Sequence, residues 1–139
     1  MKIAAQKWLW WALTGVVAAW LLWMTLRSNQ TVAANLSPLT GAAAERGISA
    51  HLLIDLAGNV AVFVPLGAAL ALALGGQTAG RRLLLATLGG AGLSLFIELA
   101  QTAIPSRVSA PGDWALNTLG AALGALIGQV WYKIVEGEK

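Results

Sequence analysis

The sequence has no cysteine, one histidine and few charged residues, which make up 11% of the chain. The absence of cysteine excludes a disulfide framework, a thiolate metal site and a cysteine nucleophile. The chain also lacks a glycine-rich loop for nucleotide phosphates, and its carboxylates do not have the spacing of a metal motif. The chain also has no stripe of basic residues that would indicate nucleic-acid binding. We therefore expect no cofactor, no metal and no nucleic-acid partner.

Apolar residues dominate the chain instead. Hydrophobic residues make up 58% of its 139 residues, and the mean hydropathy is +0.70. A soluble domain of this length could not bury that much apolar surface. Four apolar segments are each long enough for a helix to cross a bilayer: 8–26, 51–74, 83–104 and 114–135. We predict an all-α, polytopic membrane protein with four transmembrane helices in one compact bundle, and a single domain over 1–139.

The first segment has some features of a signal peptide. Lys2 and Lys7 flank its start, and "VAA" at 32–34 is similar to a cleavage site. Its apolar stretch is longer and richer in tryptophan than that of a typical signal peptide. We interpret it as the first transmembrane helix.

The positive charges outside the apolar segments predict the orientation of the chain. One side of the membrane receives Lys2, Lys7, Arg81, Arg82, Lys133 and Lys139, and the other receives Arg27, Arg46 and Arg107. Cytoplasmic connections carry the excess of lysine and arginine. Both termini should therefore face the cytoplasm, in the cytoplasmic (inner) membrane, with the connection "PSRVSAPGD" outside.

Polar side chains collect at the predicted outer ends of the last three segments. They are His51, Asp55, Asn59, Glu98, Gln101, Asp113 and Asn117. Spacings of three or four residues place those of each segment on one helix face. A carboxylate that faced lipid would be costly, so these faces should turn to the bundle interior. We predict a polar pocket at the level of the outer leaflet.

An ordered set of motifs resembles the VanZ-like membrane proteins. The motifs are "NVAVFVPLG" (59–67), "ELAQ" (98–101), Arg107, Asp113 and "NTLGAALG" (117–124). They cover the second to fourth segments and leave the first unassigned. The family often has further aspartates where this chain has "VSAPG". The resemblance implies a role in the cell envelope, and the family's named member is associated with low-level resistance to the glycopeptide teicoplanin.

Some of these residues also have structural interpretations. Asp113 follows a Pro-Gly pair and could cap the fourth helix. Pro65 should kink the second helix, with Asn59 satisfying backbone groups nearby. Small residues should allow close helix approach, and they are Gly89, Gly90, Gly92, Gly120, Gly124 and Gly128. Glu98 lies well inside an apolar run with no helix end to cap, so its presence favours a function.

Binding is the function that these residues favour. The pocket would hold a membrane lipid or a lipid-linked envelope glycan. Arg107 and His51 would meet a phosphate or carboxylate, Asp55 would line the pocket, and the amides of Asn59, Gln101 and Asn117 would bond sugars or amides.

Two other interpretations remain open. In one, the chain is a membrane enzyme in which Glu98 and Asp113 act as acid and base on a lipid-linked substrate. In the other, the glycine-rich helix faces bind a second copy of the chain or another membrane protein. Whether the chain is an enzyme is left undecided by the residues alone.

The orientation gives a first prediction. A cysteine introduced at Ser109 should react with an impermeant thiol reagent added outside intact cells, while tags at either terminus should report the cytoplasm. Labelling at Ser109 that requires permeabilised membranes would contradict this orientation.

Overall fold

The computed structural model describes residues 6–26, 56–103 and 111–137. Within these ranges every regular element is a helix and there is no strand, so the all-α prediction is confirmed. Three of the predicted site residues, His51, Asp55 and Arg107, lie outside the described residues.

The described helices follow the four predicted segments. Helix α1 is Lys7–Thr25; a π-helix, Leu56–Ala61, continues directly into α2, Val62–Ala73; α3 is Ala79–Gln101, and α4 is Pro111–Glu136. By length and composition, α1, α3 and α4 can each cross a membrane, and the second helix is shorter in its described part. The prediction of a polytopic helical membrane protein is confirmed.

The π-helix lies immediately before the turn that contains Pro65. Proline has no N–H, so the carbonyl of Ala61 cannot receive the usual hydrogen bond from the residue four positions later. A π-helix moves the hydrogen-bonding partner to the fifth residue, and it commonly occurs where the α-helical ladder is interrupted. The kink that the sequence predicts at Pro65 stays a prediction, and the departure from α-helix described beside this proline is the π-helix.

Helix α4 packs closely against the second helix through its predicted glycine stripe. A Cβ atom at Gly120, Gly124 or Gly128 would meet the backbone carbonyl oxygen of Val60, Val64 or Ala68, respectively. Both series advance by four residues in the same direction, so the two helices run parallel. Only glycine allows backbones to approach this closely, which confirms the packing interpretation for the stripe.

Helix α3 packs against another face of α4 through small residues. Gly90 faces Ala121, and the buried Ala86 and Ala125 share one core cluster. A step of four residues forward on α3 matches a step of four residues back on α4, so these helices are antiparallel. The prediction that Gly92 packs against another helix is wrong, because no atom of the described residues lies within 4 Å of its Cβ position.

Helix α1 contributes fewer buried side chains to the core than α2, α3 or α4 does. Leu21 is fully buried and packs with Phe63, Leu66 and Ile97, whereas Trp8, Trp11, Trp20 and Trp23 are exposed. Large exposed apolar side chains are expected on a helix whose outer face contacts lipid.

The contrast between two glycines gives a second prediction. Gly124→Ala would place a methyl group on the carbonyl of Val64, and we expect it to lower the free energy of unfolding by about 1–3 kcal/mol because backbone must move. Gly92→Ala meets open space and should be neutral or stabilising by up to about 1 kcal/mol. Unfolding of both variants in detergent micelles measures the difference. Equal effects would contradict the packing described here.

Candidate functional site

One end of the bundle, where α4 begins and α1 and α3 end, carries most of the predicted site residues, and we call it the Asp113 end. Asn59, in the π-helix, donates from Nδ2 to Oδ1 of Asp113 at 3.2 Å. Asp113 is the third residue of α4, so it lies inside the first turn rather than at the capping position. A negative charge there is favourable because first-turn amides point towards it.

One turn further along α4, a second hydrogen bond joins α4 to α3. Asn117 donates from Nδ2 to Oγ of Ser94 at 2.9 Å, and both residues are buried. The other amide atom, Oδ1 of Asn117, is buried and has no hydrogen-bond partner among the described residues. Trp114 adds a third link, from its Nε1 to the carbonyl oxygen of Ala91 at 3.1 Å.

The register of α3 against α4 relates Glu98 to Asp113. Four pairs follow the same antiparallel register: Arg82 with Gln129, Ala86 with Ala125, Gly90 with Ala121, and Ser94 with Asn117. The next step of four residues on each helix, about 6 Å along the axis, brings Glu98 and Asp113 to the same level. Both are half-buried, and each has a further polar interaction beyond those described above.

Gln101 occupies the last position of α3 and links it to α1. Its Nε2 donates to the backbone carbonyl of Thr25 at 2.9 Å, and its side chain is buried. The amide that we expected to meet a ligand therefore has a protein partner in a different helix. This bond holds the end of α1 against the Asp113 end.

The five described site residues thus share one end of the bundle, but they pair separately. Asn59 meets Asp113, Asn117 meets Ser94, and Gln101 meets α1. Ser94 is absent from the sequence prediction. It lies four residues before Glu98 on the same helix face, and this spacing is the signal that could have identified it.

The arrangement does not resemble a metal centre in the part of the chain that is described. There, no group of three or more histidine, cysteine, aspartate or glutamate side chains is placed to hold an ion. Two carboxylates at one level, with amides beside them, can accept hydrogen bonds or exchange a proton.

The VanZ/LLP1 family matches residues 8–132 of this sequence. The chain belongs to the VanZ/LLP1 family. The match includes α1, which the motifs had left unassigned. Comparison with curated proteins and with solved structures found no match.

This VanZ/LLP1 family member has a second polar cluster at the opposite end of the α3–α4 interface. Arg82 is fully buried, donates from Nε to Oε1 of Gln129 at 2.7 Å, and lies 3.7 Å from the ring centre of Tyr132. The sequence prediction placed Arg81 and Arg82 in the connection before the third helix, and this was wrong, because α3 begins at Ala79 and includes both. Gln129 is a lone polar residue in an apolar run, and this feature of the sequence could have identified the cluster.

Arg82 and its neighbour Arg81 give a third prediction. Arg82→Leu removes the hydrogen bond to Gln129 and leaves a buried amide unsatisfied, so we expect a loss of roughly 1–3 kcal/mol in the free energy of unfolding. Arg81 is exposed, and Arg81→Leu should change stability by less than about 0.5 kcal/mol. Thermal unfolding of the two variants in detergent provides the comparison, and a similar loss in both would show that Arg82 is not a structural anchor.

Proposed function

We propose that this VanZ/LLP1 member is a cell-envelope protein whose Asp113 end binds the polar part of a lipid or a lipid-linked glycan. The observation that carries the proposal is that five polar side chains from three helices, including the carboxylates of Glu98 and Asp113, lie at one end of the bundle. In the orientation predicted from the charges, this end lies at the outer leaflet, where envelope lipids and glycans are accessible.

Hydrogen bonds between helices support a preorganised site. Asn59 orients the carboxylate of Asp113, and Ser94 orients the amide of Asn117. Side chains held by protein partners lose less conformational freedom when a ligand binds, which favours affinity. A contribution to teicoplanin-type glycopeptide resistance would follow if the bound molecule were a precursor or component of the cell wall.

A membrane enzyme is the second candidate, and the shared level of Glu98 and Asp113 is the observation that favours it. Two carboxylates in different surroundings can divide the roles of general acid and general base. A scaffold that binds partners through glycines has less support, because Gly120, Gly124 and Gly128 pack within the bundle.

Substitutions of Glu98 give the fourth prediction and separate binding from catalysis. Glu98→Gln keeps the shape and hydrogen-bonding capacity but removes proton transfer, whereas Glu98→Leu removes both. For a binding site, the Gln variant should retain co-purifying lipid with an affinity change of roughly 1–3 kcal/mol or less, and the Leu variant should lose it. Mass spectrometry of the purified proteins measures retention, and teicoplanin susceptibility measures the cellular effect.

The neighbouring Leu99 supplies the control. It is exposed on the outer surface of α3, so Leu99→Ala should resemble the wild type in both measurements. If Glu98→Gln retains lipid but abolishes the cellular effect, lipid binding alone does not explain the function, and the enzyme proposal replaces the binding proposal. A general acid or base replaced in this way typically loses about 10² to 10⁴-fold in rate. If the wild-type protein retains no lipid, the binding proposal is wrong.

A further inference from the structure

The amide nitrogens at the Asp113 end already donate to protein atoms. Asn59 donates to Asp113, Asn117 to Ser94, and Gln101 to the carbonyl of α1. At this end of the bundle, the buried amide atom that has no partner among the described residues is an acceptor, Oδ1 of Asn117. Leaving such an atom unsatisfied in an apolar interior costs roughly 1–3 kcal/mol.

The position of this acceptor relates it to both carboxylates. Asn117 lies one turn from Asp113 on α4, and its partner Ser94 lies one turn from Glu98 on α3. The register therefore places Asn117 about 6 Å along the helix axis from the level shared by the two acids. A carboxylate offers about four acceptor positions, so it can serve a ligand in addition to its protein partners.

We infer that the Asp113 end recognises a ligand through hydrogen-bond donors, and that sugar hydroxyl groups meet Oδ1 of Asn117 and the carboxylates of Glu98 and Asp113. This inference rests on the proposed binding function and specifies which part of the ligand enters. A fully ionised phosphate brings acceptor oxygens and no donor, so it cannot meet Oδ1 of Asn117 or a carboxylate oxygen in this way. An ammonium group shares the donor chemistry of a hydroxyl, so the test includes one.

Three probe lipids with identical acyl or alkyl chain length distinguish these chemistries: a monoglucosyl diacylglycerol, phosphatidic acid and a long-chain primary amine. Each is titrated into the delipidated full chain in nanodiscs, and bound lipid is counted by native mass spectrometry. The wild-type chain should bind the glucosyl lipid at least about tenfold more tightly than phosphatidic acid. Tighter binding of the amine than of the glucosyl lipid would assign the donor to an ammonium group and overturn the sugar assignment. A preference for phosphatidic acid would overturn the inference as a whole.

Substitutions of Asn117 test the acceptor itself. Asn117→Asp keeps an acceptor at both terminal atoms and should retain the glucosyl lipid within roughly threefold, whereas Asn117→Leu should weaken it at least about tenfold. The matched control is Thr118→Val, because the Thr118 hydroxyl bonds within its own helix, to the Trp114 carbonyl at 2.7 Å. Its binding should equal that of the wild type.

Folding of the variants is followed by thermal unfolding in the same nanodiscs. If Asn117→Leu does not fold, the Asp variant decides the question alone: retention of the glucosyl lipid supports the acceptor role, and a tenfold loss contradicts it. Different results would contradict the proposed binding function and the inference about hydrogen-bond donors. If the wild-type chain binds no probe and carries no native lipid, the binding function is wrong; if it binds lipid but prefers phosphatidic acid, only the donor inference is wrong.

Discussion

The close approach of α4 to two other helices determines where the polar groups of the bundle lie. Its glycines lie against backbone carbonyls of the second helix, while Ala121 and Ala125 face small residues of α3. Small side chains on both faces bring the three backbones near enough for short amide side chains to reach a neighbouring helix. The Asn59–Asp113 bond depends on the approach of α4 to the second helix along the glycine stripe, and the Asn117–Ser94 bond depends on the approach of α4 to α3 at Gly90.

Polar pairs at both ends of the α3–α4 interface complement this packing. Between Arg82 at one end and Ser94 at the other, the contacts are made by Ala86 and Gly90. Small residues alone would tolerate a slip of one turn, since alanine and glycine present similar surfaces at each step. A slip would break the Arg82–Gln129 and Ser94–Asn117 bonds together, over a distance of about 18 Å along α3. We infer that these polar pairs select a single register, a role that buried polar groups also have in other helical assemblies.

The sequence correctly predicted features that depend on residues close together along the chain. Segment length and hydropathy identified the helices, and a spacing of four residues identified the glycine stripe of α4. The pairing between helices could not be read in this way, because the register of α3 against α4 depends on contacts between distant positions. Gly92 and Arg82 show the same limit: a glycine packs only where a partner lies opposite, and an arginine near a helix start is buried only where another helix provides partners.

The polar groups at the Asp113 end exceed what helix packing requires. Hydrogen bonds between transmembrane helices contribute on average only about 0.6 kcal/mol each, and the Ser94–Asn117 bond already joins α3 to α4 at this end. Asp113 is favourable in the first turn of α4 whatever the function, but Glu98 is a carboxylate inside an otherwise apolar run, and its placement opposes folding unless it is compensated. Helix packing alone does not require a carboxylate at Glu98, so its presence supports a ligand-binding role for the Asp113 end.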